Sequence, residues 1–148
     1  ASDVYKRQSN GYDQRFYWNA DIPKQLNDVT DDDGNTTTGL KTQRKNTQNE
    51  IAASLLAPSD WRVIKAKETS TNIPSTLKTY RAAVRTACNT RQAEIDACSD
   101  IAALKELLFG DAQIQQTDDD GNGVVDSDGN PVFITNPNIA TAWPDEPS

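Results

Sequence analysis

The segment Leu55-Leu56-Ala57-Pro58-Ser59-Asp60-Trp61 constrains this chain more than any other, because it sets a proline into an otherwise helix-compatible run. Proline has no N–H to donate and biases the residue before it away from the helical region. Ser59 and Asp60 can bond to nearby backbone. The sequence therefore predicts a helix from about Leu40 that stops near Leu56, where the chain turns back. On this reading Leu55, Leu56 and Trp61 plug the closed end of a helical hairpin. Truncating a buried Trp61 to Ala would then cost on the order of 3 kcal/mol.

The second arm has the clearer pattern. Ile73-Pro74-Ser75 offers Ser75 as an N-cap and Ile73 as part of a hydrophobic staple. Leu77, Tyr80, Val84, Cys88, Ile95 and Cys98 then recur at three-and-four spacing, helped by Ala83, Ala87 and Ala102. Arg91 interrupts that seam, either passing the end of the first helix or facing Asp96 or Glu94. The first arm is poorer in apolar groups. Leu40, Ile51 and Leu55, with Thr47, form a thin stripe among Gln43, Arg44, Lys45, Asn46, Gln48 and Asn49, so this helix needs a neighbour. Arg62 to Ile73 connects the arms: Val63 and Ile64 continue the packing after Trp61, and the rest reads as a solvent-side loop with Lys65 and Lys67 on a solvated face. Ser99-Asp100 can cap a fresh start, so Ile101, Leu104, Leu107 and Leu108, up to Phe109-Gly110, form either a short third helix or a bent continuation of the second. A seam from Leu77 to Leu108 is longer than the first helix can cover, which points to a further segment or another subunit.

With 35% hydrophobic residues and mean hydropathy −0.75, a chain of 148 residues has little apolar surface for a deep core, so part of it is expected to be extended or partner-dependent. The excess of 22 Asp and Glu over 15 Lys and Arg, net −7, repels phosphate backbones and anionic membrane surfaces. Neither nucleic acid nor membrane is an expected partner, and no apolar run approaches the roughly 20 residues of a bilayer span. There is no His, and no Cys or Ser sits beside a recognisable base, so neither an enzyme nor a small-molecule substrate is expected. There is no Met either. Asp3-Val4-Tyr5-Lys6-Arg7-Gln8 resembles the translation of a sequencing-library adapter, as in a metagenomic fragment, with authentic sequence from about Ser9. Cys88 and Cys98, on one helix, would lie about 15 Å apart and are expected to be reduced apolar fillers.

The flanks carry the remaining signals. Tyr12, Phe16, Tyr17, Trp18, Ile22 and Leu26 form an aromatic arm that either packs on the hairpin or docks a partner through Trp18. Val29-Thr30 and the threonines after Asp31-Asp32-Asp33-Gly34-Asn35 predict a β-hairpin. Beyond Gly110, Asp118, Asp120, Asn122 and Asp126, with the Val124 carbonyl, fall at the spacings of a Ca²⁺-binding loop, yet Gly129 occupies the position where a bidentate carboxylate belongs. The competing reading is a hairpin of Ile114–Gln116 and Val132–Ile134 with no cofactor. The last residues form an extended tail in which Trp143-Pro144 docks on the body or on a partner.

The corner, Ile73-Pro74 and Tyr80-Arg81-Ala82-Ala83-Val84-Arg85 together resemble the tail-assembly chaperones and tail-fibre-associated virion proteins of tailed bacteriophages, cyanophages among them. In that family a leucine-leucine-alanine, serine-aspartate-tryptophan corner is followed by a tyrosine-arginine helix. The resemblance spans Arg44 to Arg85, about a third of the chain. It implies a non-enzymatic role in tail-fibre assembly or in the tail itself. The partners would be other tail proteins or further copies of the chain, and the location the host cytoplasm during assembly or the virion tail. Leu55, Leu56, Trp61, Tyr80, Val84, Trp18 and Trp143 are the expected partner-binding or corner residues. A calcium-stabilised adhesive or surface module is the alternative. The expected class is α+β: residues 1–8 artefactual or disordered, 9–39 an aromatic arm and β-hairpin, 40–110 the helical hairpin with its short third helix, 111–135 an acidic hairpin and 136–148 a tail.

Overall fold

The computed structural model describes residues 11–147, so the adapter-like residues 3–8 lie outside the described part. Among the described residues the class is α+β, with three helices and two small antiparallel strand pairs. The order is β1 (Val29–Thr30), β2 (Thr36–Thr37), α1 (Leu40–Glu68), α2 (Ser75–Asp96), α3 (Ile101–Phe109), β3 (Gln113–Gln115) and β4 (Phe133–Thr135). β1 pairs with β2, and β3 with β4 in the register Gln113 to Thr135. No described helix is long and apolar enough to cross a membrane.

The expected stop at Leu56 does not occur. α1 runs for 29 residues with Pro58 inside it and ends at Glu68, so most of the expected loop is helix. Pro58 withholds the N–H that would bond the Ser54 carbonyl, but both residues are exposed and water can take the vacant acceptor. The turn falls at Thr69–Pro74 instead. There the Thr71 N–H donates to the Ala66 carbonyl across Ser70, which has a φ of 56°. This is a Schellman-type stop, with Lys65 and Lys67 placed favourably near the carbonyl end. Ser75 is not the N-cap: Pro74 holds that position, and no side chain caps the helix. At α3 the cap is as expected, with Asp100 Oδ1 accepting from the Ala103 N–H at 2.7 Å.

The α2 stripe is buried as its spacing predicts, and it serves two separate cores. Ile95, with Cys98 just past the end of α2 and so not on the helix of Cys88, joins Phe16, Leu40, Ile101 and Leu104 near the start of α1. Leu77, Tyr80, Val84 and Cys88 join Ala52, with Leu55, Leu56, Ile73 and Trp143 packed around them. The aromatic arm and the tail thus cover the seam that α1 leaves open. Both cysteines are free and buried.

Between the two cores the helix pair is polar. Gln48, only 2% exposed, accepts from Arg91 Nε at 2.7 Å, so Arg91 neither passes the end of α1 nor pairs with Asp96 or Glu94. On either side, Asn49 Oδ1 accepts from Gln92 Nε2, and Lys45 pairs with Asp96 at 3.0 Å. The backbone of the arm caps α1: the Leu40 and Lys41 N–H groups donate to the Gln25 and Leu26 carbonyls. Gly39 is required at this crossing, since a Cβ there would lie 2.4 Å from the Asn27 backbone.

Three five-residue turns share one geometry. In Asp31–Asn35, Asp118–Asn122 and Asp126–Asn130 the first aspartate's Oδ1 accepts two backbone N–H groups, from the third and fifth residues, each at 2.9 Å. The glycine at the fourth position has a φ of 84° or 85°, which makes it the natural residue there. The last two turns are eight residues apart and fold the acidic segment into a ring. The Val124 N–H donates to the Gln116 carbonyl, Val132 to Val124, and Gln116 to Val132.

Because Pro58 is the only break in the α1 hydrogen-bond ladder that its sequence demands, Pro58→Ala is expected to stabilise the protein by about 1–3 kcal/mol in urea unfolding. A loss of stability would mean that the proline ring packs or directs the helix in a way its exposure does not suggest.

Candidate partner-binding site

The corner motif divides into a half that holds the two helices together and a half that faces solvent. Tyr80 and Val84 are buried in the core, and Leu55 and Leu56 are half-buried against it. Ser59 points inward, its hydroxyl donating to the Leu56 carbonyl at 3.2 Å. Arg81 crosses from α2, with Nη1 donating to that carbonyl at 3.0 Å and to Ser59 Oγ at 2.7 Å, and with Nη2 bonded to Asp60 at 2.8 Å. The serine-aspartate and tyrosine-arginine parts of the motif therefore meet each other across the helix pair.

Trp61 is not the plug that the sequence predicts. Once α1 continues past Pro58, residue 61 falls on its outer face, and Trp61 is 60% exposed. Ile64, one turn on, is 59% exposed. Trp61 lines a shallow groove of about 280 Å³ with Arg62, Lys65, Ala66, Ile73 and Pro74. Ile64, expected to pack beside Trp61, is thus a surface residue as well; the signal that marks it is its three-residue spacing from Trp61, which matters only if the helix runs on.

The other expected site residues are scattered. Trp18 is on the arm, 68% exposed, with Lys24 Nζ 4.7 Å from its ring centre. Trp143 docks on the body, against the core of Leu77 and Val84, with the Arg91 guanidinium 5.2 Å from its ring. The tail is tied down beside it: the Thr141 N–H and hydroxyl donate to the two Glu94 carboxylate oxygens, each at 2.9 Å. Asn136 is buried, its amide donating to Glu106 and to the Asp111 carbonyl.

The calcium-spaced residues are not gathered around one point. Asp118 and Asp126 head two different turns, where each gives an oxygen to its own backbone. The Val124 carbonyl accepts from Val132 and from Gln115 Nε2, while Asp120 and Asn122 are exposed. Among the described residues no three His, Cys, Asp or Glu side chains are placed to share a metal ion.

Several ionisable groups are perturbed. The hydrogen-bonded Arg15 holds the Asp13 carboxyl at about 2, and Asp13 in turn raises Arg15. Burial lowers Arg44 and Arg91, and the neighbouring Arg15 lowers Arg44 further. Burial pushes the Cys98 thiol up.

No protein-family model, curated protein or solved structure matches this chain.

Two outcomes follow. Arg81→Leu should cost about 1–2 kcal/mol in denaturant unfolding by removing the donors to Ser59 and the Leu56 carbonyl, whereas Asp60→Asn, at a half-exposed ion pair, should cost under about 0.5 kcal/mol. Because Asp13's folded pKa is depressed, its stabilisation is present above the ordinary carboxylate value of 3.8 and is lost as pH falls toward about 2. The urea midpoint should fall over that window, and Asp13→Asn should flatten this part of the profile.

Proposed function

We propose that the chain is a non-enzymatic phage tail protein that acts through protein–protein contacts, in tail-fibre assembly or as a small component of the tail. The observation that carries this reading is the exposure of Trp61 beside Ile64 at the corner that resembles the phage family. Ser59 and Asp60 are already occupied by Arg81, while the largest side chain of the same motif is left in solvent. An exposed tryptophan next to an exposed isoleucine and an arginine has the composition of an interface centre. The partner is another tail or tail-fibre protein or a second copy of the chain, met in the host cytoplasm or in the virion tail.

The test is binding to tail-fibre proteins co-expressed from the same reading-frame cluster, with self-association followed by sedimentation. Trp61→Ala with Ile64→Ala should weaken binding at least about tenfold while changing unfolding free energy by under about 1 kcal/mol. A double variant that binds like the parent would refute the assignment of this surface. A parent chain that stays monomeric and binds no tail component would refute the role.

A further inference from the structure

A second surface feature lies about 25 Å from Trp61 along α1, beside Arg44. It is a cleft of about 310 Å³ between the aromatic arm, β2 and the first turns of α1. In a chain of net charge −7 its charged lining is entirely cationic: Arg15, Lys24 and Arg44. Asp13 neutralises Arg15 through a two-oxygen contact, and the carboxylate is spent in doing so. Arg44 is different. It is half-buried, held 5.5 Å from the Phe16 ring centre and 5.1 Å from that of Phe109, and no described carboxylate pairs with it. Lys24 likewise makes no described ion pair and lies over the exposed ring of Trp18.

The cleft also offers acceptors. Both bonds from the Gln25 amide nitrogen go to the Asn27 and Thr37 carbonyls, and the Gln43 amide nitrogen donates to the Thr38 carbonyl. The side-chain oxygens of both glutamines are left without a described donor. A sulfate dianion brings no hydrogen to such oxygens, and hydrogen phosphate brings one where the two glutamines take two. A ligand that satisfies the whole lining carries an anion for Arg44 and Lys24, hydroxyl donors for Gln25 and Gln43, and a C–H face for the indole of Trp18.

We propose that this cleft binds an acidic saccharide, a sugar ring bearing a carboxylate. Arg44 and Lys24 take the carboxylate, which gives each an ion-pair partner at contact distance. The glutamine oxygens accept from ring hydroxyls, and Trp18 covers the ring's apolar face. The cleft is separate from the corner, so this binding stands or falls independently of the assembly role.

Calorimetry and tryptophan fluorescence at fixed ionic strength, with glucuronate, glucose and sulfate as probes, test the assignment. Glucuronate should bind with a Kd on the order of 1 mM, at least about tenfold tighter than either other probe. Trp18→Ala and Lys24→Gln, at side chains the fold leaves outside its cores, should each weaken it about three- to tenfold with an unchanged melting curve; Arg44→Gln should weaken it further. Absence of binding up to about 20 mM glucuronate overturns the proposal. So does sulfate binding as tightly, which would make this a simple anion site, or glucose binding as tightly, which would leave the cations without a role. Glucuronate binding that is indifferent to both Trp18→Ala and Lys24→Gln overturns it as well, since the ligand would then sit elsewhere.

Discussion

Arg81 and Arg91 reach from α2 to polar groups that α1 turns inward, and the alignment of the two long helices depends on these contacts. The apolar stripe of α1 is too thin to choose a register, because its fully buried apolar residues are only Leu40 and Ala52. Polar bridges supply the choice. Lys45 with Asp96, Gln48 with Arg91, Asn49 with Gln92 and Ser59 with Arg81 follow one antiparallel alignment along the whole hairpin. A one-turn slip would leave Gln48, Ser59 and both arginines with unmatched groups at the interface, which costs more than an apolar mismatch. The same bridges explain why there are two modest cores and not one, since the Gln48–Arg91 contact lies between them.

The elements that local chemistry dictates were legible in the sequence. The α2 stripe, the Asp100 cap and both strand pairs fall where residue spacing and turn residues place them. What was not legible depends on distant partners. Whether Pro58 ends a helix turns on which side of the helix it faces and on whether the freed carbonyl can reach water, and both are set by how α1 packs. The burial of Gln48 and Ser59 likewise depends on arginines 43 and 22 residues away in sequence. A helix end placed at Leu56 puts both Trp61 and Ile64 into packing, whereas a helix that runs on exposes the pair.

The acidic stretches show a different gap. A spacing that suits a calcium loop also suits two successive turns, because both need short oxygen-bearing side chains and a glycine. In the structure the first aspartate of all three turns gives one carboxylate oxygen to its own backbone. The pattern also repeats, with Asp-x-Asp-Gly-Asn at residues 31–35, 118–122 and 126–130, and each copy folds into the same turn. The trio of Arg15, Lys24 and Arg44 was invisible for another reason. It is drawn from the arm and from α1, and the overall negative charge of the chain conceals it.

The ring closed by Gln116, Val124 and Val132 bears on how the acidic lobe behaves among other chains. Each of the three gives its N–H to the next and takes a bond on its carbonyl, so that layer leaves no backbone donor or acceptor to the outside. Sheets recruit foreign strands through unpaired edges, and here the edge is consumed by closure. The lobe is therefore self-terminating at that level. A strand of a neighbouring chain can therefore pair with the lobe only at the outer edges of β3 and β4, below the closed layer.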